Sequence, residues 1–569
     1  MNKLAEQIIK KSRLIIVLFL LITIFLGLSL RNLKINPDIL SYFPKNDPDI
    51  KLFNYLGEEY GGNSLAMIVL ATDDIFKSET IATIHELTTR LQLDPGVAYV
   101  TSLTNTLDIR TDEYGFEIGR LVDEYNLPRD PEELAELKEY TLSKEMFRGN
   151  LVTEDATATL VICRLQNSVD QVETCRRLKA IVEEIGPPEK LYYGGIPFMI
   201  LDLHNMITDD LKFLIPMVSL LIILFLYLGF RKWEGVILPL LSVGVSLIWT
   251  LGIMSLLKIE LSIVSNVIPV VLIAVGSAYS IHVLSKFNET HLEKEHFARE
   301  HAGLAAALHE VGTPVFLAAL TTMAGFISFI FGSYLVMIRE FGIFAALGVF
   351  FTLITSLTFV PALLALKKEN GSRTRAQKEK VGTERKSLTT RLIPGIEGLV
   401  TKRPKAVIWV GILLTILGLT GIPHISRRVD LIEYFQPQSG IRQAEAFLQE
   451  KFGGSGIIQI LVEGDIQDPA VLQEMEKMEE FLLAQDDIHS TQSLVSLLKE
   501  LNHVMGEGKA LPDTRGKVIN LWFLLEGEEV MSQLVNAGRT EAVIQARMEG
   551  SLETKRVHEL VTLINEYIA

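Results

Sequence analysis

Apolar residues in this chain gather into seven long blocks, divided by polar stretches of very unequal length. A membrane hydrocarbon core takes roughly 20 helical residues to cross. The blocks at 14–30, 211–230, 236–257, 261–285, 311–333, 341–366 and 406–421 come near that length and carry few charges. The chain therefore divides into a first span (1–30), a polar region (31–208), a five-span bundle (209–366), a basic linker (367–403), a seventh span (404–422) and a second polar region (423–569).

Within the first polar region the hydrophobic period changes repeatedly. "SLAMIVLAT" at 64–72 is an aliphatic run of strand length. Residues 78–93 place Ile81, Ile84, Leu87 and Leu91 at helical spacing, with Ser78 as the expected N-cap. Strands follow at 97–103, 157–165 and 191–196, and a second helix at 169–185 stops at Gly186. A polar, helical insertion is expected near 104–150. The order is β-α-β-β-α-β, the ferredoxin-like pattern. The second region predicts the same start: strands at 457–463, 488–494 and 517–526, helices at 469–483 and 552–567, and a helical insertion near 529–548.

The two regions also share a spacing. Tyr42-Phe43 recurs as Tyr434-Phe435 and Gly61-Gly62 as Gly453-Gly454, each pair 392 residues apart. A period that long means duplicated domains rather than a solenoid, and large internal repeats are typical of transporters. The second copy lacks a fourth strand and the span that would follow it. It is expected to be an incomplete version of something longer, a truncated reading frame or half of a split protein, with a second half-protein or a homo-oligomer as the expected partner.

Charge adds an orientation. The 569-residue chain is 48% hydrophobic with a net charge of −15. Lys and Arg crowd the N-terminus, the 231–232 and 286–299 connections and the 367–403 linker, which places all four on the cytoplasmic side of an inner membrane and both large domains outside. The acidic first domain argues against nucleic acid as a partner. No small-x-small cleavage site follows Leu30, so the first block reads as an uncleaved anchor. Cys163 and Cys175 are too few for a disulfide framework and are expected to be free and buried.

Three segments carry a family resemblance: "IPVVLIAVGSAYSIHVLSKFNE" at 268–289, "PVFLAALTTMAGFISF" at 314–329 and "IREFGIFAALGVF" at 338–350. With the duplicated span-and-domain order they resemble the RND superfamily of exporters, in its MMPL and Patched-like branch. The resemblance implies an α-helical membrane protein with α+β outer domains, built as an RND-type repeat of one span, a ferredoxin-like domain and five spans. It also implies proton-driven export of a hydrophobic or amphiphilic substrate, lipids among them, with membrane lipids as partners. The alternative it leaves open is a SecDF- or Patched-like accessory or lipid-sensing protein that does not itself export. Many members carry Asp before the Tyr of the fourth span; here Ala278 precedes Tyr279. An intramembrane carboxylate suits proton carriage because lipid shifts its pKa, and Ala278 cannot supply one.

The remaining candidates for a proton or ion path are hydroxyls and one imidazole. Ser277, Tyr279 and Ser280 on the fourth span and Thr321 and Thr322 on the fifth form an expected polar seam, with interhelical packing as the alternative role. His282 lies one turn from Tyr279 and titrates near neutrality, but it also sits near the span's end, where it can snorkel. Gly276, Gly325, Gly342 and Gly348 are expected to permit close helix packing. Arg339-Glu340 is expected as an interfacial ion pair, or as a gate between membrane and outer domain. Residues 293–311 read as an amphipathic helix along the membrane face, and its histidines lack the i,i+4 spacing of a metal site. No phosphate-binding loop, catalytic triad or zinc motif is present, so neither ATP drive, enzymatic activity nor a cofactor is expected.

Overall fold

The computed structural model describes residues 2–112, 115–167, 169–293, 300–366, 398–424, 432–548, 550 and 554–568. The chain separates into two units, Met1–Ala365 with Leu431–Leu552, and Leu366–Asp430 with Glu553–Ala569. All seven expected spans are helices long and apolar enough to cross a membrane.

In the first unit, α1 (Asn2–Lys10) leads into α2 (Ser12–Ser29), the first span. Next come α3 (Pro48–Glu59), β1 (Ser64–Ala71), α4 (Ser78–Gln92), β2 (Val97–Thr101), β3 (Leu107–Asp112), β4 (Gly115–Arg120), α5 (Pro131–Ser143), β5 (Ala158–Leu165), α6 (Gln171–Ile185) and β6 (Lys190–Gly194). The strands β2, β5, β1 and β6 form one antiparallel sheet in that order. Alternation along β1 sorts the side chains: Ala66, Ile68 and Leu70 enter the main core under α4 and α6, and Met67 and Val69 face the other side. The insertion at 104–150 is not wholly helical; a β3–β4 hairpin precedes α5. Ser78 starts α4 without making a cap bond. Cys163 and Cys175 are free and buried in the core, and burial pushes both thiols up, Cys175 to about 12.

The membrane bundle follows directly. Gly195 (φ +85°) turns β6 into α7 (Ile196–Phe230), one helix of 35 residues. Its first turns (Phe198, Ile200, Leu201) are buried in the first domain's core, and its far end is apolar and exposed. After it come α8 (Glu234–Leu256), α9 (Ile268–Glu293), α10 (Glu300–Gly332) and α11 (Val336–Ile354). The segment expected as a separate surface helix at 293–311 continues, from Glu300, unbroken into α10; residues 294–299 lie outside the described ones. A π turn, Thr355–Phe359, joins α11 to α12 (Val360–Leu366). Pro361 explains the widening, because it lacks an amide hydrogen and crowds the preceding turn.

Small residues set the helix spacing. A Cβ on Gly252 would come 2.7 Å from the Leu26 carbonyl oxygen, on Gly276 2.8 Å from Thr352 Cγ2, and on Gly342 2.6 Å from the Phe326 carbonyl oxygen. Gly348 is equally tight against Leu272, whereas Gly325 faces open space and has no packing role here.

Still in the first unit, α14 (Gly440–Phe452), β7 (Gly456–Glu463), α15 (Pro469–Leu483), β8 (Ile488–Gln492), α16 (Leu494–Val504), α17 (Arg515–Leu525), α18 (Glu529–Leu534) and β9 (Glu541–Met548) follow the helix α13 (Pro404–Gly421) of the second unit. The sheet runs β7-β9-β8, all antiparallel. Two expectations are corrected. Residues 517–526 are helical, with Val518, Leu521, Trp522 and Leu525 buried at a helical period, and the third strand is β9, inside the stretch expected to be helical. Ser493 ends β8 by capping α16. The second unit holds α13 and α19 (Thr554–Ile568); most of the basic linker lies outside the described residues.

The two α/β domains exchange helices. Leu448 and Phe452 of α14 pack on the outer face of the first sheet beside Met67 and Val69, and Phe447 stacks on Tyr192 at 4.6 Å. In return, Leu56 of α3 and the adjoining Tyr60 pack on Leu461 and Val543 of the second sheet. The glycine pairs that end α3 and α14 adopt matching left-handed turns, φ +81° and +109° at Gly61-Gly62 against +75° and +111° at Gly453-Gly454. Both avoid the strain a side chain would meet there.

Candidate functional site

The bundle centre holds two groups of buried hydroxyls, which meet where Thr355 Oγ1 donates to the Thr352 carbonyl at 2.9 Å. On α8, Ser242, Ser246 and Thr250 lie four residues apart and so share one face. Ser242 Oγ donates to Thr355 Oγ1 at 2.8 Å and lies 3.4 Å from Ser356 Oγ. Ser356 meets Ser280 of α9 at 2.9 Å, and Thr352 Oγ1 lies 3.0 Å from Ser246 Oγ. Ser242, Ser246, Ser280, Thr352, Thr355 and Ser356 are all fully buried. The π turn turns Thr355 and Ser356 toward the same cluster.

Ser280 is the one expected seam residue that the structure joins to these hydroxyls. Ser277 is buried but donates to Ala274 O of its own helix at 3.1 Å. Tyr279 is buried among α9, α10 and α11 side chains, and its hydroxyl has no partner among the described residues. Thr321 is exposed and Thr322 half-buried, and both donate to Ala318 O within α10 at 2.9 Å. They are not part of the seam. His282 is exposed, whereas Tyr279 one turn away is buried and Ala278 half-buried. His282→Ala is expected to leave transport within twofold of wild type in a reconstituted flux assay.

Arg339 and Glu340 do not pair. Arg339 Nε donates to Ser333 O at 2.7 Å, and Glu340 is half-buried. One link from this end of the bundle to the first domain is the hydrogen bond from the Tyr334 hydroxyl to Asp47, which caps α3. That bond holds the Asp47 carboxyl below its ordinary value and raises the Tyr334 hydroxyl.

A cleft of about 1610 Å³ lies between the two α/β domains. Ion pairs cross it: Lys144 to Glu500 at 2.6 Å, Lys451 to Asp155 at 2.8 Å and Lys509 to Glu145 at 2.7 Å. Its floor includes Arg164 of β5 and Arg547 of β9. Arg164 Nη1 donates to Gly62 O at 2.8 Å and Nη2 to Gln545 Oε1 at 3.4 Å, while Arg547 Nη1 donates to Asn150 O at 3.1 Å. Each arginine thus reaches across to the other domain. Neither stood out in the sequence, where a basic residue near a strand end reads as solvent-facing.

The crossing pairs set an acid response. Lys451 holds Asp155, and Lys509 holds Glu145, below their ordinary values of 3.8 and 4.5. Carboxyls lowered on folding stabilise fully above those values and lose that contribution as pH falls through the lowered ones. A fluorophore pair, one on each domain, should report separation only below about pH 4. Lys451→Gln should shrink the amplitude of that transition, and an unchanged amplitude would remove the pair from the closure.

The MMPL family model matches residues 47–407. A protein of Methanocaldococcus jannaschii described as a membrane protein is 26% identical over 387 residues, 65% of this chain and 94% of that protein. The hopanoid transporter HpnN of Burkholderia multivorans is 31% identical over 160 residues, 28% of this chain and 18% of its own length. A membrane protein of Streptomyces coelicolor is 25% identical over 233 residues, 38% of this chain and 26% of that protein. With seven apolar helices, a hydroxyl-lined bundle and a family match over more than half its length, the chain is a multi-pass membrane protein of the MMPL family, within the RND superfamily of transporters.

Proposed function

We propose that this protein exports hydrophobic or amphiphilic molecules, lipids included, across an inner membrane, using the proton gradient, and that its two α/β domains face outward as copies of an RND-type repeat. The observation that carries the reading is the large cleft between the two domains, the first of which runs without a break into the bundle through α7. The shared strand order and the matched glycine turns support the repeat, and the hopanoid transporter among the relatives supports the substrate class. A substrate leaving the membrane would enter the cleft as the domains shift on their exchanged helices. A second copy or a second half-protein would be the assembling partner.

The ion path in this reading runs along Ser280, Ser356, Ser242 and Thr355, with the Ser246–Thr352 pair adjoining it through the Thr352 carbonyl. A hydroxyl both donates and accepts, so it can relay a proton but not store one. Ala278 leaves the centre of that path without a carboxylate, which favours the second reading, an accessory or lipid-sensing role without export. The discriminating experiment loads the full chain into liposomes with a fluorescent lipid and imposes a pH gradient. Lipid movement that a protonophore abolishes supports export. Binding without movement, at normal insertion, leaves the accessory reading.

A further inference from the structure

We propose that the cleft between the two α/β domains receives an anionic headgroup, a phosphate or a carboxylate, between Arg164 and Arg547. This rests on the reading of the cleft as the substrate's route and names the chemistry of its polar end.

The two arginines occupy the same place in their sheets. Each is the penultimate residue of its strand, and each stands opposite a register slip in the neighbouring strand, Tyr99 for Arg164 and Ser490 for Arg547. Gln545, which Arg164 reaches, is two residues from Arg547 and so on the same face of β9. Both guanidiniums are therefore brought to one region of the cleft lining.

Their partners are all neutral. Among the described residues, Arg164 donates only to a backbone carbonyl and an amide oxygen, and Arg547 only to a backbone carbonyl. The lysines of the same cleft are neutralised, Lys144, Lys451, Lys499 and Lys509 each on a carboxylate. Of the lining acids without such a partner, Glu154, Glu450, Glu528 and Glu529 are exposed, and Glu479 is buried with its carboxyl raised by desolvation. Arg164 is only 7% exposed and Arg547 half-buried, and desolvation lowers both guanidiniums to about 10. A guanidinium has five N–H donors, most of them unused here. Burying such a charge without a counter-ion is unfavourable, and the planar fork matches phosphate or carboxylate oxygens in bidentate fashion.

The test measures binding to the full chain in detergent with a single-chain series: dodecyl phosphate, dodecanoate and dodecanol, with inorganic phosphate as competitor. The expected result is at least tenfold tighter binding of dodecyl phosphate and dodecanoate than of dodecanol. Arg164→Gln and Arg547→Gln, which keep an N–H donor for the neighbouring carbonyls, should each lower the two anions to the level of dodecanol. Arg→Lys at either site should retain part of the preference. Competition by inorganic phosphate alone would mark a free-anion site, and no competition a headgroup held with its chain. Equal binding of dodecanol and dodecyl phosphate, or an undiminished preference in both Gln variants, overturns the proposal. If one Gln variant fails to fold, the other variant and the wild-type series still decide it. Arginine-dependent binding without lipid movement would sink the exporter reading and keep this one; movement indifferent to headgroup charge would do the reverse.

Discussion

Gly195→Ala is expected to abolish a cooperatively folded first α/β domain. Gly195 stands at φ +85° and ψ 164°, a region essentially restricted to glycine, and joins the last strand of that domain to α7. A side chain there costs roughly 1–3 kcal/mol in backbone strain alone. Its Cβ would also lie 2.1 Å from the Leu65 carbonyl oxygen, a backbone atom of β1 that cannot step aside without breaking the sheet. The combined cost is a large part of the roughly 5–15 kcal/mol that holds a domain folded. The readout is size-exclusion profile and thermal unfolding of the full chain in detergent. Gly229→Ala is the control, since a Cβ there meets nothing within 4 Å and the helix should tolerate it. A wild-type melting curve for Gly195→Ala would show that the strand-to-helix joint is built differently.

Ser356→Ala should reduce transport at least tenfold at normal expression and insertion. Ser356 is where the α8 and α9 branches of the hydroxyl chain meet, through Ser242 and Ser280. Alanine removes only the hydroxyl oxygen from this fully buried position, so the packing change is modest. Interhelical hydroxyl bonds average roughly 0.6 kcal/mol each, too little for the loss of two to unfold a bundle. A large fall in flux with an unchanged melting temperature therefore reports on the path rather than on stability. Ser356→Thr should restore part of the flux. Thr321→Val and Thr322→Val, whose hydroxyls bond only within their own helix, should stay within twofold of wild type. Equal effects from all three substitutions would dissolve the distinction between seam and surface.

Much of the architecture was legible because each element buries one face with its own period. The seven spans and the β-α-β-β-α-β order of the first domain follow from runs and spacings within single elements. Residues 515–548 misled because "KVINLWFLLE" alternates well enough for a strand, while its buried set, Val518, Leu521, Trp522 and Leu525, obeys a helical period. The site was less legible, since it depends on how helices rotate against each other. Thr321 and Thr322 carry the same chemistry as Thr352 and Thr355, yet only the latter pair turns inward. The readable sign was the stripe of Ser242, Ser246 and Thr250 on one helix face. The arginine pair has no local signature, because it arises from two strands in different domains.

The length of α7 has a mechanical meaning. At 35 residues and 1.5 Å per residue the helix is about 52 Å long, so a tilt of about 5° displaces one end by about 5 Å relative to the other. Its first turns are gripped by the core of the first α/β domain and its last lie among apolar, exposed positions. A tilt of α7 would therefore be carried into the first α/β domain through a single helix, with Pro216 the interior position that lacks an amide hydrogen bond.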